Sequence, residues 1–314
     1  MSDDSSPASA AARIRKKRWR LIRSLAEDKV ALAASIFIAV IVLAGVLAPW
    51  LAPHPPSEVS LSDRLVPPVW SGDGTGSFVL GADALGRDVL SRVIYGARVS
   101  LLVGFSVVIV AGVFGSAVGL VAGYRGGRVD TVLMRLADAQ LAFPGLLLVI
   151  LIISVIGSSI PVIIGVIAIY GWMIFARLVR GNVLQLREEL FIRAAVMAGC
   201  GPLRLMRRHL LPNLMAPILT QAMLEFARVI LVEASLSYLG LGIQSPNVSW
   251  GLMVAENQTY LREGWWTVFF PGLVLAVTVV ALNLVASWLR VRSDPQQQQL
   301  LAARRRVRTE GVSA

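Results

Sequence analysis

The sequence predicts an all-α integral membrane protein with six transmembrane helices, and three observations predict it. Apolar residues make up 56% of the 314 and charged residues only 16%, against about 45–50% and about 25% in soluble domains. One soluble core cannot hide that much apolar surface. Six apolar stretches reach or approach the roughly 20 residues that cross about 30 Å of hydrocarbon. Finally, 24 of the 30 Lys and Arg fall on one side of the resulting topology, with five on the other and Arg228 inside a span.

The first span, Val30–Leu51, follows a long basic lead and precedes Pro53, which reads as a retained anchor and not a cleaved leader. The second, Ser100–Ala122, carries Gly112, Gly115 and Gly119, and Gly115, Gly119 and the following Gly123 repeat at four-residue spacing, a face that lets another helix approach closely. Packing inside this chain is the plain reading of that face. The third span, Leu133–Ile156, holds Asp138 near its start. The fourth, Ile160–Ala176, is short. The fifth, Met215–Leu241, contains Glu225, Arg228 and Glu233, and the sixth is Val268–Leu289. The basic bias places both termini in the cytoplasm. It also accounts for the net charge of +11. Nucleic-acid binding is set aside, because the arginines flank apolar spans instead of forming a stripe with aromatics.

The chain divides into a basic tail (residues 1–29), a membrane domain (30–291) and a second tail (292–314). The run Arg13–Arg23 suits anionic lipid headgroups. Gln296–Gln299 and Arg304–Arg306 carry no assigned role. The lone Cys200 excludes an internal disulfide, and no Cys/His cluster has metal-ligand spacing.

Charges at bilayer depth usually face a bundle interior or a water-filled cavity. Asp138, Glu225 and Glu233 are therefore the candidates for a solute path. Glu225 and Arg228, at i, i+3, can instead neutralise each other. Glu233 has no charged neighbour one turn away.

In the outer loop, Leu90, Val93, Ile94 and Ala97 predict a short amphipathic helix lying on the membrane face, with Asp88 and Arg92 spaced as an i, i+4 pair. Gly81-x-x-x-x-Gly86-Arg87-Asp88 has the glycine spacing of a phosphate loop but lacks its Lys and Ser/Thr. ATP binding by this chain is rejected. Near the last span, Trp265-Trp266 reads as a headgroup belt. Asp88, Arg92 and Trp250 are candidates for an external mouth or a contact with a delivery protein.

The most informative stretch is Phe191–Asn213. Ala194, Ala195, Ala198 and Gly199 form a stripe nearly free of side chains, Gly201-Pro202 breaks the helix, and Arg204, Arg207 and Arg208 follow. The stretch reads as a short helix offered to a cytoplasmic partner. Ala194-Ala195-x-x-Ala198-Gly199, twelve residues and Pro212 resemble the "EAA" loop of bacterial ABC importer permeases. Leu80-Gly81-x-Asp83-x-x-Gly86-Arg87-Asp88, Gly96-Ala97-Arg98-x-Ser100-Leu101, Ser237–Gly242 and Ser249-Trp250-Gly251 resemble the C-type permease subunit of the dipeptide/oligopeptide/nickel importers.

That resemblance implies a type I ABC importer permease fold in a bacterial cell (inner/plasma) membrane, and a coupling helix seated in an ATPase. The implied partners are a homologous B-type permease, two ATPases that hold ATP and magnesium, and an extracytoplasmic solute-binding protein. The chain itself would bind no cofactor and catalyse nothing. The name-giving glutamate of the loop is Arg193 here, which favours an acidic or carbonyl partner on the ATPase. An ion-driven secondary transporter is the alternative, and the chain shows neither the inverted repeat nor the carboxylate chain that class uses. A scaffold or sensor would need a signalling module, and none is recognisable.

Overall fold

A computed structural model describes residues 25–72 and 76–293. The basic run Arg13–Arg23, the glutamine run and Arg304–Arg306 lie outside the described residues. The described chain is helical, and its long helices run between an arginine-rich end, which carries Arg125, Arg187 and Arg204, and an opposite end.

Helix α1 (Lys29–Val46) is capped by the Asp28 carboxylate, which accepts the Ala31 N–H. The chain turns at Leu47 into a single helical turn, α2 (Ala48–Leu51), with Pro49 in its first turn. Helix α3 (Val89–Arg125) is 37 residues long. It absorbs the amphipathic helix expected at Leu90–Ala97, which is therefore not a separate surface helix. No breaker lies between Arg98 and Ser100, and its apolar positions pack on protein instead of lipid.

The third span is also corrected. It is two helices, α4 (Gly127–Leu141) and α5 (Gly145–Ile156), meeting at 82°. Pro144 precedes α5, and the residue before a proline is driven out of helical geometry. Helix α6 (Ile160–Leu186) extends ten residues past the expected end at Ala176. Beyond that point it alternates apolar residues with Arg177 and Arg180, Arg187 follows as its C-cap, and Arg180 is held by Asp130 of α4 through two hydrogen bonds.

The short helices α7 (Leu190–Met197) and α8 (Pro202–Leu205) follow, then a widened turn (Met206–Leu210) leading into α9 (Leu211–Tyr238). Helices α10 (Trp250–Asn257) and α11 (Trp266–Ser293) complete the described chain. Five helices are long and apolar enough to span a membrane, and the bent α4–α5 pair makes a sixth crossing if counted as one.

The glycine face of α3 packs on α6 within this chain. A Cβ at Gly115 would lie 2.1 Å from the Trp172 carbonyl oxygen, and one at Gly119 would lie 2.3 Å from that of Ala176. Glycine lets the two backbones touch there. Val103, Val107 and Ala111 of α3 share a core with Val149 and Ile153 of α5, Ile163, Ile167 and Phe175 of α6, and Val229 of α9. A second core joins α9 to α11 through Ala227, Ile230 and Leu282, with Ile38 of α1 against it. Large apolar side chains remain exposed along α1, α3 and α5, among them Val40, Phe105, Val113 and Leu151. They suit lipid or another membrane chain.

Candidate functional site

At the arginine-rich end, α7 is a ledge anchored from beneath. Ile192 alone on α7 is fully buried, packing with Val179 and Val183 of α6, Leu205, Leu210 and Leu214. The helix ends in a Schellman turn: Cys200 N–H donates to the Ala195 carbonyl and Gly199 N–H to that of Val196. Gly199 has φ +78°, the left-handed region that glycine enters without a Cβ clash. A Cβ added there would meet nothing within 4 Å. Ala194 and Ala198 are exposed beside it, and Ala195 is half-buried.

The rest of the ledge is apolar and open. Leu190 is 82% and Met197 90% exposed, an arrangement that water alone does not favour and that a partner surface would cover. Arg193 pairs with Glu188 five residues earlier in the same chain. The sequence had reserved it for a partner. Pro212 stands in the first turn of α9, where its missing N–H costs nothing.

The path candidates separate. Asp138 is exposed and pairs with Arg177 of α6. Two residues further along α4, Gln140 accepts from Trp172 Nε1 at 2.9 Å and donates to the Ile169 carbonyl at 2.6 Å. Glu225 pairs with Arg228 at 2.7 Å, as the i, i+3 spacing indicated. Glu233 is a correction, because it lines no open surface. It is 1% exposed, accepts from Ser237 Oγ at 2.8 Å, and lies 3.4 Å from Ser100 Oγ of α3. Ser237 in turn accepts from Ile243 N–H and Ser100 from Trp250 N–H. Glu233 is thus a knot joining α9, α3 and the loop between α9 and α10.

The three candidates at the opposite end are also corrected. Asp88, Arg92 and Trp250 are all buried and form no outer surface. Asp88 is the N-cap of α3, and its carboxylate accepts both the N–H and the hydroxyl of Ser91. It does not pair with Arg92. A capping carboxylate is committed to the helix start, so Arg92 turns to Glu256 at 2.7 Å and Asp83 at 3.5 Å. Arg87 shares the same two carboxylates, at 2.7 Å each. Trp250 lies over Gly96, and its indole N–H donates to the Val93 carbonyl at 3.0 Å.

The expected tryptophan belt divides in the same way. Trp265 is 47% exposed, but Trp266 is 6% exposed and donates to the Ala82 carbonyl. The glycines of the rejected phosphate loop shape a turn: Gly86 has φ +74°, and a Cβ on it would strike the Ser60 carbonyl at 1.7 Å. Sequence reasoning missed Asp83 and Glu256 as partners of Arg92. Glu256 carried no signal, since nothing local links it to a residue so distant in the chain.

Fold and site together define a multi-pass, all-α membrane subunit with an uncovered apolar ledge at its arginine-rich end. Residues 115–299 match the family described as binding-protein-dependent transport system inner membrane component, and residues 17–68 match the N-terminal TM domain of oligopeptide transport permease C. The chain belongs to this permease family and is an inner-membrane subunit of a binding-protein-dependent transport system. It is 41% identical over 281 residues to the di/tripeptide transport system permease protein of Pseudomonas aeruginosa, covering 90% of this chain and 92% of the relative. The dipeptide transport system permease protein of Haemophilus influenzae is 37% identical, covering 87% of this chain and 92% of the relative. The probable D,D-dipeptide transport system permease protein of Escherichia coli is 33% identical, covering 94% and 97%.

Proposed function

We propose that this chain is one of two permease halves of an ATP-driven importer for di- and oligopeptides or related small solutes. Its arginine-rich end and both termini face the cytoplasm, as the basic bias favours. The α7 ledge is the coupling helix, seated in a groove of a partner ATPase that holds ATP and magnesium. A B-type permease supplies the other half of the path, a second ATPase acts on it, and an extracytoplasmic binding protein delivers solute. The chain does no bond chemistry. Asp138 and the Glu225–Arg228 pair belong to the path wall.

One observation carries the reading: Ala194, Ala198 and Gly199 form an uncovered, side-chain-poor stripe flanked by the exposed apolar side chains of Leu190 and Met197, on a helix anchored by the core around Ile192. Closure of the ATPases on ATP then rocks the helix bundles between two states.

Two measurements test this. A cysteine at position 197, in a chain whose Cys200 is replaced by serine, is expected to cross-link to the ATPase in the assembled complex, in a nucleotide-dependent way. Peptide uptake is expected to need ATP and to survive collapse of the proton gradient. Labelling of that cysteine only by impermeant reagents applied from outside the cell would overturn the orientation. Uptake that follows the proton gradient would favour the secondary-transporter reading.

A further inference from the structure

The break between α4 and α5 is open backbone at membrane depth. Ala142, Phe143 and Pro144 separate the two helices, and all three are exposed, Phe143 by 61%. The depth follows from α6. A Cβ on Gly145, the first residue of α5, would lie 2.0 Å from Tyr170 Cζ. Tyr170 stands ten residues beyond Ile160, where α6 begins, or about 15 Å along the axis. That is half of the roughly 30 Å of hydrocarbon. The Tyr170 ring centre also lies 5.4 Å from Arg228 Cζ, so the break and the Glu225–Arg228 pair stand at one level.

Backbone groups at the break lack partners. The Ala142 N–H donates to the Asp138 carbonyl, that of Phe143 to Gln140, and that of Leu148 to Pro144. Among the described residues, nothing donates to the carbonyls of Leu141, Ala142 or Phe143, and the N–H groups of Gly145, Leu146 and Leu147 donate to nothing. Pro144 has no N–H of its own to continue the ladder. Unpaired backbone groups facing lipid cost several kcal/mol each, and irregular backbone at this depth persists only against protein or a water-filled cavity.

The break is also held in place. On one side Gln140 is tied to Trp172 and to the Ile169 carbonyl of α6. On the other, Gly145 admits the Tyr170 ring. Asp138 and Glu225 already hold Arg177 and Arg228. A row of fixed, unpaired carbonyls suits a ligand that brings N–H donors. A peptide main chain brings them whatever its side chains.

We infer that the α4–α5 break lines the solute path, and that its free Leu141, Ala142 and Phe143 carbonyls accept the amide N–H groups of a peptide main chain. Such a subsite reads backbone instead of side chains. This rests on the import reading above and adds a peptide-contacting segment to it.

The test uses the complete importer, purified in detergent without its binding protein, so that peptide reaches the path directly. Ala142→Cys is placed in a chain whose Cys200 is replaced by serine. A charged, water-borne methanethiosulfonate is applied, and labelling of this chain is read by mass spectrometry. The cysteine is expected to be labelled, and the dipeptide Ala-Ala to slow the labelling. The same dipeptide methylated on its amide nitrogen is expected to need a concentration about 2- to 10-fold higher for the same effect, the worth of one neutral hydrogen bond. Phe143→Cys serves if the first variant does not assemble.

A cysteine that stays unlabelled would overturn the inference, since lipid or the partner permease would then cover the break. Labelling that neither dipeptide slows, or that both slow equally, would overturn it as well. Uptake of Ala-Ala by the wild-type importer in proteoliposomes, with binding protein and ATP, separates the two readings. If that uptake holds, a negative cysteine result removes this inference alone. If it is absent, the import reading falls and takes this inference with it.

Discussion

Arg92 and Glu256 lie 164 residues apart in the chain and 2.7 Å apart in space. Through this contact the first turns of α3 are locked to α10, with Asp83 and Arg87 completing a cluster of two guanidinium and two carboxylate groups. Single removal of a buried ionic partner costs more than the pair is worth, because the other charge stays buried. Glu256→Gln leaves Arg87 and Arg92 with Asp83 as their one shared carboxylate and is expected to destabilise the protein by about 3 kcal/mol. A thermal unfolding midpoint measured in detergent should drop by several degrees, and proteolysis of the loop before α3 should accelerate. An unchanged midpoint would remove the cluster from the account of stability.

The α3–α6 contact makes a graded prediction. Gly115→Ala forces a methyl group to within 2.1 Å of the Trp172 carbonyl oxygen, whereas Gly112→Ala meets Phe175 no closer than 3.5 Å. Overpacking of a tight contact costs about 1–3 kcal/mol or more. Gly115→Ala is expected to lose monodispersity in size-exclusion chromatography, and Gly112→Ala to keep it. Equal behaviour of the two would mean that the helices do not approach as described.

Gly199 permits a separation of backbone strain from steric blockade. Asn tolerates positive φ better than other side chains. Gly199→Asn should therefore fold and retain most uptake. Gly199→Trp should reach the membrane, abolish uptake and uncouple ATP hydrolysis from delivery, because the indole would project from the ledge the ATPase is proposed to grip. Full uptake by Gly199→Trp would count against α7 as the coupling helix.

The neighbouring tryptophans should behave oppositely. Trp266→Phe leaves the buried Ala82 carbonyl without its donor, at a cost of about 1–3 kcal/mol. Trp265→Phe keeps an aromatic ring at a half-exposed site and should stay within about 0.5 kcal/mol of wild type. Denaturation curves of the two variants decide the matter.

Much of this protein was legible because its strongest signals are local. Apolar run length revealed the spans. The Ala194–Gly199 stripe and the Gly201-Pro202 break marked α7 and α8, and the spacing of Glu225 and Arg228 announced their pair. The third span was misread as one helix because hydropathy averages over Ala142–Pro144, where a single proline turns the chain by 82°. The tryptophans were misread because an indole beside a span looks the same in sequence whether it faces headgroups or a buried carbonyl.

By itself the sequence determined the membrane-spanning class, the apolar stretches that become the long helices and the existence of a side-chain-poor loop among basic residues. Each follows from transfer energies and backbone preferences that act over a few neighbouring residues. Only the tertiary structure decided that Asp88 caps a helix while Arg92 reaches Glu256. It alone enclosed Glu233 and Trp250. Those outcomes depend on which distant groups are brought within 3 Å of one another, and at that range hydrogen-bond geometry and burial override sequence spacing.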